Sequence, residues 1–216
     1  NGARTFRVRP LRGCGAGVGL SRLPYHGGQS DDLQATAEFI RGLAPQSLIM
    51  PVGFSLGGNI VLKWLGEQAA NIPQLVSRAM AINPPLNLEA CTDHVRIVAG
   101  GFYDRHFARL LFRHVAQTPH WHRDTPLSRT RRRPRRIIEF DELFTAPVAG
   151  YESARHYYRE CSAEPVLPAI NVPTLILSAQ DDPLIPRHTL ERAQRSEHVS
   201  LHIAEGGGHL GYIGAR

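Results

Sequence analysis

Apolar positions along the chain follow two rhythms, and their order suggests a layered α/β fold. Thr5-Phe6-Arg7-Val8-Arg9 alternates with the period of a short strand and runs into the turn Arg12-Gly13-Cys14-Gly15. A glycine-rich loop carrying Tyr25-His26-Gly27-Gly28 then reaches Ser30. Ser30 or Asp31 can cap a helix running to about Leu43, with Leu33, Ala37, Phe39, Ile40 and Leu43 at its apolar positions. Ser47-Leu48-Ile49-Met50 predicts a strand, although Pro51 beside it cannot donate to a ladder. Ile60, Val61, Trp64 and Leu65 predict the next helix, and Arg78–Asn83 predicts a buried strand stopped by Pro84-Pro85. Later, Val172–Ala179 predicts a strand, Pro186–Gln194 a helix and Val199–Ala204 a last strand. The alternation implies a mostly parallel sheet with helices on both faces.

Residues Leu88 to Ala163 break the rhythm. This stretch holds ten of the 16 aromatic residues, which a solvated linker would not concentrate. It predicts a helical lid or cap inserted into a single domain spanning residues 1–216. Phe102, Phe107, Phe140 and Phe144 are its candidates for an apolar binding wall, and a helical subdomain without a substrate role is the plainer alternative. His120-Trp121-His122 lacks neighbouring ligands at metal-site spacing, so the sequence implies neither a metal nor another cofactor.

Composition changes this picture little. The chain has 216 residues, 42% hydrophobic and 20% charged, as in ordinary globular proteins. No apolar run approaches the ~20 residues that span a bilayer, which predicts no transmembrane segment. Cys14, Cys91 and Cys161 are scattered and odd in number, as expected of reduced thiols in a cytoplasmic protein. The net charge of +6 has one source: Arg129, Arg131, Arg132, Arg133, Arg135 and Arg136 form a run without an acid. Without that run basic and acidic residues balance at 19 each, so it predicts a solvated face rather than a nucleic-acid surface.

The chemistry gathers around Gly53-Phe54-Ser55-Leu56-Gly57. Between a strand signal and a helix signal, G-x-S-x-G fits a sharp turn that holds a nucleophilic serine above a sheet. Flanking glycines leave room where strand and helix crowd. The helix N-terminus directs N–H groups toward a developing oxyanion, with Leu56 N–H the first donor. A serine hydroxyl also needs a base, and the base an orienting carboxylate. Asp181 or Asp182 and then His209 follow in the hydrolase order, each just after a predicted strand. Pro186, four residues beyond Asp182, favours Asp182, and Asp181 stays open.

Taken together, these segments are identifiable. Arg12-Gly13-Cys14, Tyr25-His26-x-Gly28-x-x-x-Asp32-Leu33 and Gly53-Phe54-Ser55-Leu56-Gly57-Gly58-Asn59 resemble the YheT-like branch of the α/β-hydrolases. Thr145-Ala146-Pro147, Ala179-x-Asp181-Asp182-Pro183 and Gly207-Gly208-His209-Leu210-Gly211 extend the resemblance from about residue 5 to 213. That branch includes yeast medium-chain fatty-acid ethyl ester synthase/esterases and animal abhydrolase-domain lipases. The resemblance implies a serine esterase acting on short- to medium-chain acyl esters. Ser55 would be its nucleophile, Asp182 its acid and His209 its base, and the residue pattern itself adds Phe54, Phe102, Phe107, Phe140 and Phe144 as candidate substrate contacts. Gly27 departs from the serine more usual there. Relatives also carry strands before the Arg-Gly-Cys turn, one ending in a second oxyanion donor, and a closing helix after the histidine. By that comparison the sequence is expected to be incomplete at both ends. A non-catalytic α/β-hydrolase-like binding protein is the competing expectation.

Overall fold

The computed structural model describes residues 12, 13, 17, 20, 21, 24–118, 121, 123, 125–130 and 132–212. The expected strand Thr5–Arg9, Cys14, His120, His122 and Arg131 lie outside the described residues. The chain divides into two compact units, one made of Asn1–His26 with Asp104–Ala154, the other of Gly27–Tyr103 with Arg155–Arg216.

The second unit carries the sheet. Strands β1 (Val52–Phe54), β2 (Ala79–Ile82), β3 (Thr174–Ala179) and β4 (Val199–Ala204) pair in that order, all parallel. β3 is a near-continuous apolar run, as expected of a parallel strand buried on both faces. It starts at Thr174 because Pro173 has no N–H for the ladder. Proline also shifts β1. Ile49 makes only an isolated bridge to Val76, and Pro51 offers its carbonyl to Met80 N–H at 3.0 Å without a donor to return. Regular pairing therefore begins at Val52, later than the predicted Ser47–Met50.

Helices α1 (Asp31–Leu43) and α2 (Leu56–Glu67) follow the predicted rhythm, and α3 (Leu88–Ile97) lies in the stretch that breaks it. α2 is buried from Gly58 to Gly66, so it is a core helix rather than an amphipathic surface one. Ile60, Leu62 and Leu65 are fully buried. Trp64 Nε1 donates to Gln34 Oε1 of α1 at 2.8 Å. On another face Gly66 meets the turn at Val166, whose carbonyl would lie 2.5 Å from an added Cβ. The core continues through Ile72, Ala81, Leu86, Leu167, Ile176 and Leu190.

The first unit is helical. α4 (Phe102–Ala116) enters it, followed by helical turns at Pro126–Arg129, Ile137–Phe140 and Ala146–Ala149, with a π turn at Asp141–Thr145. Its core gathers Val115, Trp121, Leu127, Phe140 and Phe144. Trp121 Nε1 donates to Ser21 O at 3.0 Å, and buried Asp104 accepts Ile137 N–H at 2.7 Å. Of the expected insertion at 88–163, residues Asp104–Ala154 fall in this unit. Cys91 and Ala163 belong to the core of the other unit, and Tyr157 and Tyr158 of α5 (Ala154–Cys161) are buried residues of that same unit.

Candidate active site

Ser55 occupies the turn between β1 and α2 with φ 49° and ψ −123°, a backbone that residues with side chains rarely adopt. Its N–H donates to Ile82 O of β2 at 2.8 Å, and its carbonyl accepts Gly58 N–H at 2.8 Å to start α2. Close approach enforces the turn. A Cβ on Gly53 would sit 2.4 Å from Gly57 O, and one on Gly58 would sit 3.1 Å from Pro84 Cβ. At Gly57 an added Cβ meets nothing within 4 Å, so the crowding expected there falls one residue later. Leu56 is the first residue of α2, and its N–H lies at the positive end of the helix.

Asp181 and Asp182 leave the end of β3, and His209 lies beyond β4. His209 Nε2 is 2.8 Å from Ser55 Oγ, and His209 Nδ1 is 2.9 Å from Asp182 Oδ2. Asp182 Oδ1 accepts Leu184 N–H at 2.8 Å and Ile185 N–H at 3.2 Å. Of the two candidate acids, Asp182 meets the imidazole, whereas Asp181 Oδ1 accepts Gly208 N–H at 2.8 Å beside it. The Asp182 side chain is fully buried and that of His209 is 20% exposed. Burial alone would raise the Asp182 carboxyl. Hydrogen bonds from His209, Asn83 and Leu184, with the His209 charge, outweigh it and hold the carboxyl below its ordinary value. A carboxylate there accepts a hydrogen bond from Nδ1–H, which leaves the Nε2 lone pair facing the serine hydroxyl.

The aromatic candidates separate. Phe54, next to Ser55, is 55% exposed, and Phe102 is exposed on the first turn of α4. Phe107 is half-buried with its ring edge-on to His106. Phe140 and Phe144 are each 2% exposed, packed on one another in the core of the first unit, which leaves a ligand little of either ring to touch.

Sequence reasoning missed several residues that hold this site. Asn59, fully buried on α2, donates to Gly27 O at 3.0 Å and Cys161 O at 2.8 Å, and accepts Ala163 N–H at 2.9 Å. Tyr157 OH accepts Gly27 N–H at 3.0 Å. Asn83, just past β2, and Tyr212, three residues after His209, were also missed. The available signal was position, since ligand sites in α/β sheets gather at the carboxyl ends of strands. Among the described residues no cluster of His, Cys, Asp and Glu is disposed to hold a metal.

Comparison with known proteins follows the same lines. A family profile described as alpha/beta hydrolase fold matches residues 11–215. The YheT protein of Escherichia coli strain K12 is 33% identical over 96% of this chain and 61% of its own. A monoacylglycerol lipase of Saccharomyces cerevisiae is 26% identical, covering 94% of this chain and 46% of its own. Phospholipase ABHD3 of Mus musculus is 26% identical over 90% of this chain and 47% of its own. The chain thus spans about half to three-fifths of the length of these relatives.

Proposed function

Because the chain belongs to the α/β-hydrolase fold family and is YheT-like within it, we propose that it is a serine hydrolase of short- to medium-chain acyl esters, working through an acyl-enzyme. The observation that carries the reading is the unbroken line of hydrogen bonds from Ser55 Oγ through His209 to buried Asp182. Ser55 Oγ attacks the ester carbonyl carbon as its proton passes to His209 Nε2. The tetrahedral oxyanion is met by Leu56 N–H. Collapse expels the alcohol, which takes the proton from His209 and leaves the acyl group esterified to Ser55. Water deprotonated by His209 then cleaves that ester, releasing the acid and restoring the serine. A monoacylglycerol lipase and a phospholipase among the relatives support including glycerol esters and phospholipids among the substrates tested.

Burial, and after it the Asp182 charge, pushes the Cys91 thiol up to about 12, which makes it a poor nucleophile. Arg132, Arg133, Arg135 and Arg136 are exposed, as on a solvated face. Among the described residues no helix is long and apolar enough to cross a membrane. A cytoplasmic location is consistent with Cys91, a buried thiol.

A fluorophosphonate probe and a p-nitrophenyl ester series test the reading together. The protein should be labelled once, and Ser55→Ala should abolish labelling. His209→Gln should lower kcat by about 10⁴- to 10⁶-fold, because members of such a unit fail together. Absence of both labelling and turnover would leave an α/β-hydrolase-like binding protein instead.

A further inference from the structure

We propose that Asn83 is a positioning residue for this site, fastening the Asp182 carboxylate and the His209 loop to the end of β2. Its catalytic consequence rests on the ester-hydrolase reading above. Asn83 is fully buried and has φ 48°, a left-handed backbone that asparagine tolerates better than most residues. Its N–H donates to Leu177 O of β3 at 2.7 Å, so the residue is tied into the sheet where β2 ends. Its side chain then reaches three groups. Nδ2 donates to Asp182 Oδ2 and, at 3.2 Å, to Gly208 O, the residue immediately before His209. Oδ1 accepts the hydroxyl of Tyr212.

The amide orientation is fixed by its neighbours. Two of them, a carboxylate oxygen and a carbonyl oxygen, can only accept, and the third is a hydroxyl that can donate. Turning the amide over would set its oxygen against a carboxylate and leave both N–H groups poorly used. Asn83 therefore does for Oδ2 what Leu184 N–H does for Oδ1, and the carboxylate keeps one orientation toward His209 Nδ1. It also grips the loop from one side while Asp181 grips Gly208 N–H from the other. Gly207 (φ 151°) and Gly208 (φ 52°) give that loop a backbone that requires external fixing, and Gly207 packs where a Cβ would lie 2.6 Å from the Tyr212 ring. The titratable groups around this junction are Asp181, Asp182, His209, Tyr212 and Cys91. A carboxylate at position 83 would face Asp182 directly, and two such groups at contact compete for a proton.

The test compares wild type, Asn83→Ala and the isosteric Asn83→Asp on p-nitrophenyl butyrate across pH, with circular dichroism to establish folding. Asn83→Ala should lower kcat about 10- to 100-fold with KM within about twofold, the scale of one hydrogen bond to a charged group. Asn83→Asp should move the acid limb of kcat/KM upward by about one pH unit or more, a change that a purely structural role would not produce. A folded Asn83→Ala enzyme with kcat within twofold of wild type overturns the proposal. If Asn83→Ala does not fold, an unmoved acid limb in Asn83→Asp overturns it. One readout is independent of ester turnover: the downfield ¹H NMR resonance of the His209 Nδ1–H bonded to Asp182. It should be present in wild type and shifted or lost in both variants. If wild type neither hydrolyses esters nor takes the phosphonate, the functional reading fails while this resonance still decides the role of Asn83. Its absence from wild type, or its survival unchanged in both variants, counts against positioning.

Discussion

Single side chains decide the geometry at Ser55. The turn needs a positive φ at a residue with a Cβ, a conformation that costs about 1–3 kcal/mol and persists only where surroundings impose it. Gly53 imposes it by letting β1 and α2 approach to a distance no side chain permits, and Gly58 adds a tight contact with Pro84. Gly57 lies inside the helix with open space at its Cβ position, so the two glycines of the motif are not equivalent. Gly57→Ala should therefore keep the fold and gain up to about 1 kcal/mol from helix propensity. Gly53→Ala should lower the melting temperature sharply and remove phosphonate labelling, because the new methyl collides with backbone that cannot move aside. Thermal melts of the two variants separate these outcomes. Equal losses would show that crowding is not what shapes the turn.

Elements were legible where their apolar pattern was unbroken and less so where proline or long-range contact intervened. β3 and β4 could be read from continuous apolar runs, and α2 from its spacing. β1 could not be placed to the residue, because Leu48, Ile49 and Met50 look more strand-like than Val52-Gly53-Phe54 while Pro51 stops the ladder between them. Aromatic enrichment does not distinguish one core from another, and the aromatic residues of the expected insertion fall in both units. Tyr157 and Tyr158 are buried, but in the sheet-bearing unit. Ser55, Asp182 and His209 could be picked out because each combines a chemically marked residue type with a strand end. Asn83 and Tyr212 could not, since an asparagine before two prolines reads as a turn and its tyrosine partner is 129 residues away. β1 also lies at an edge of the described sheet, and Leu48 (58%), Met50 (50%), Val52 (44%) and Phe54 (55%) are exposed along it. In the parallel ladder Pro51 and Ser55 face β2, so Val52 and Phe54 direct their backbone groups to the open side. Such an edge recruits other strands. Sedimentation velocity should show self-association growing with concentration, and Val52→Lys should reduce it with an unchanged circular dichroism spectrum. A wild-type protein that stays monomeric at every concentration would show that this edge does not recruit a second copy.

At the scale of the whole molecule, the apolar cluster among the described residues is more extensive in the sheet-bearing unit, and each unit holds one of the two tryptophans. Trp64 sits in the extensive core that runs through α2, β2, β3 and the turn around Leu167. Trp121 sits in a compact cluster with Val115, Leu127, Phe140 and Phe144. Both rings are 2% exposed and both have a bonded Nε1, so their local environments are comparable while the cores behind them are not. At roughly 25 cal/mol per Å² of buried apolar surface, the smaller of the two described clusters predicts the lower stability for its unit. A unit with less stability opens at lower denaturant and in its own transition. Labelling with 5-fluorotryptophan gives one ¹⁹F resonance for each unit without removing either ring, and a Trp64→Phe variant serves only to assign them. In a urea titration the native Trp121 resonance should disappear before that of Trp64, leaving an intermediate range where only the sheet-bearing unit is folded. Loss of both resonances at a single midpoint would mean that the two units fold as one cooperative body, and the argument from separate cores would then fail.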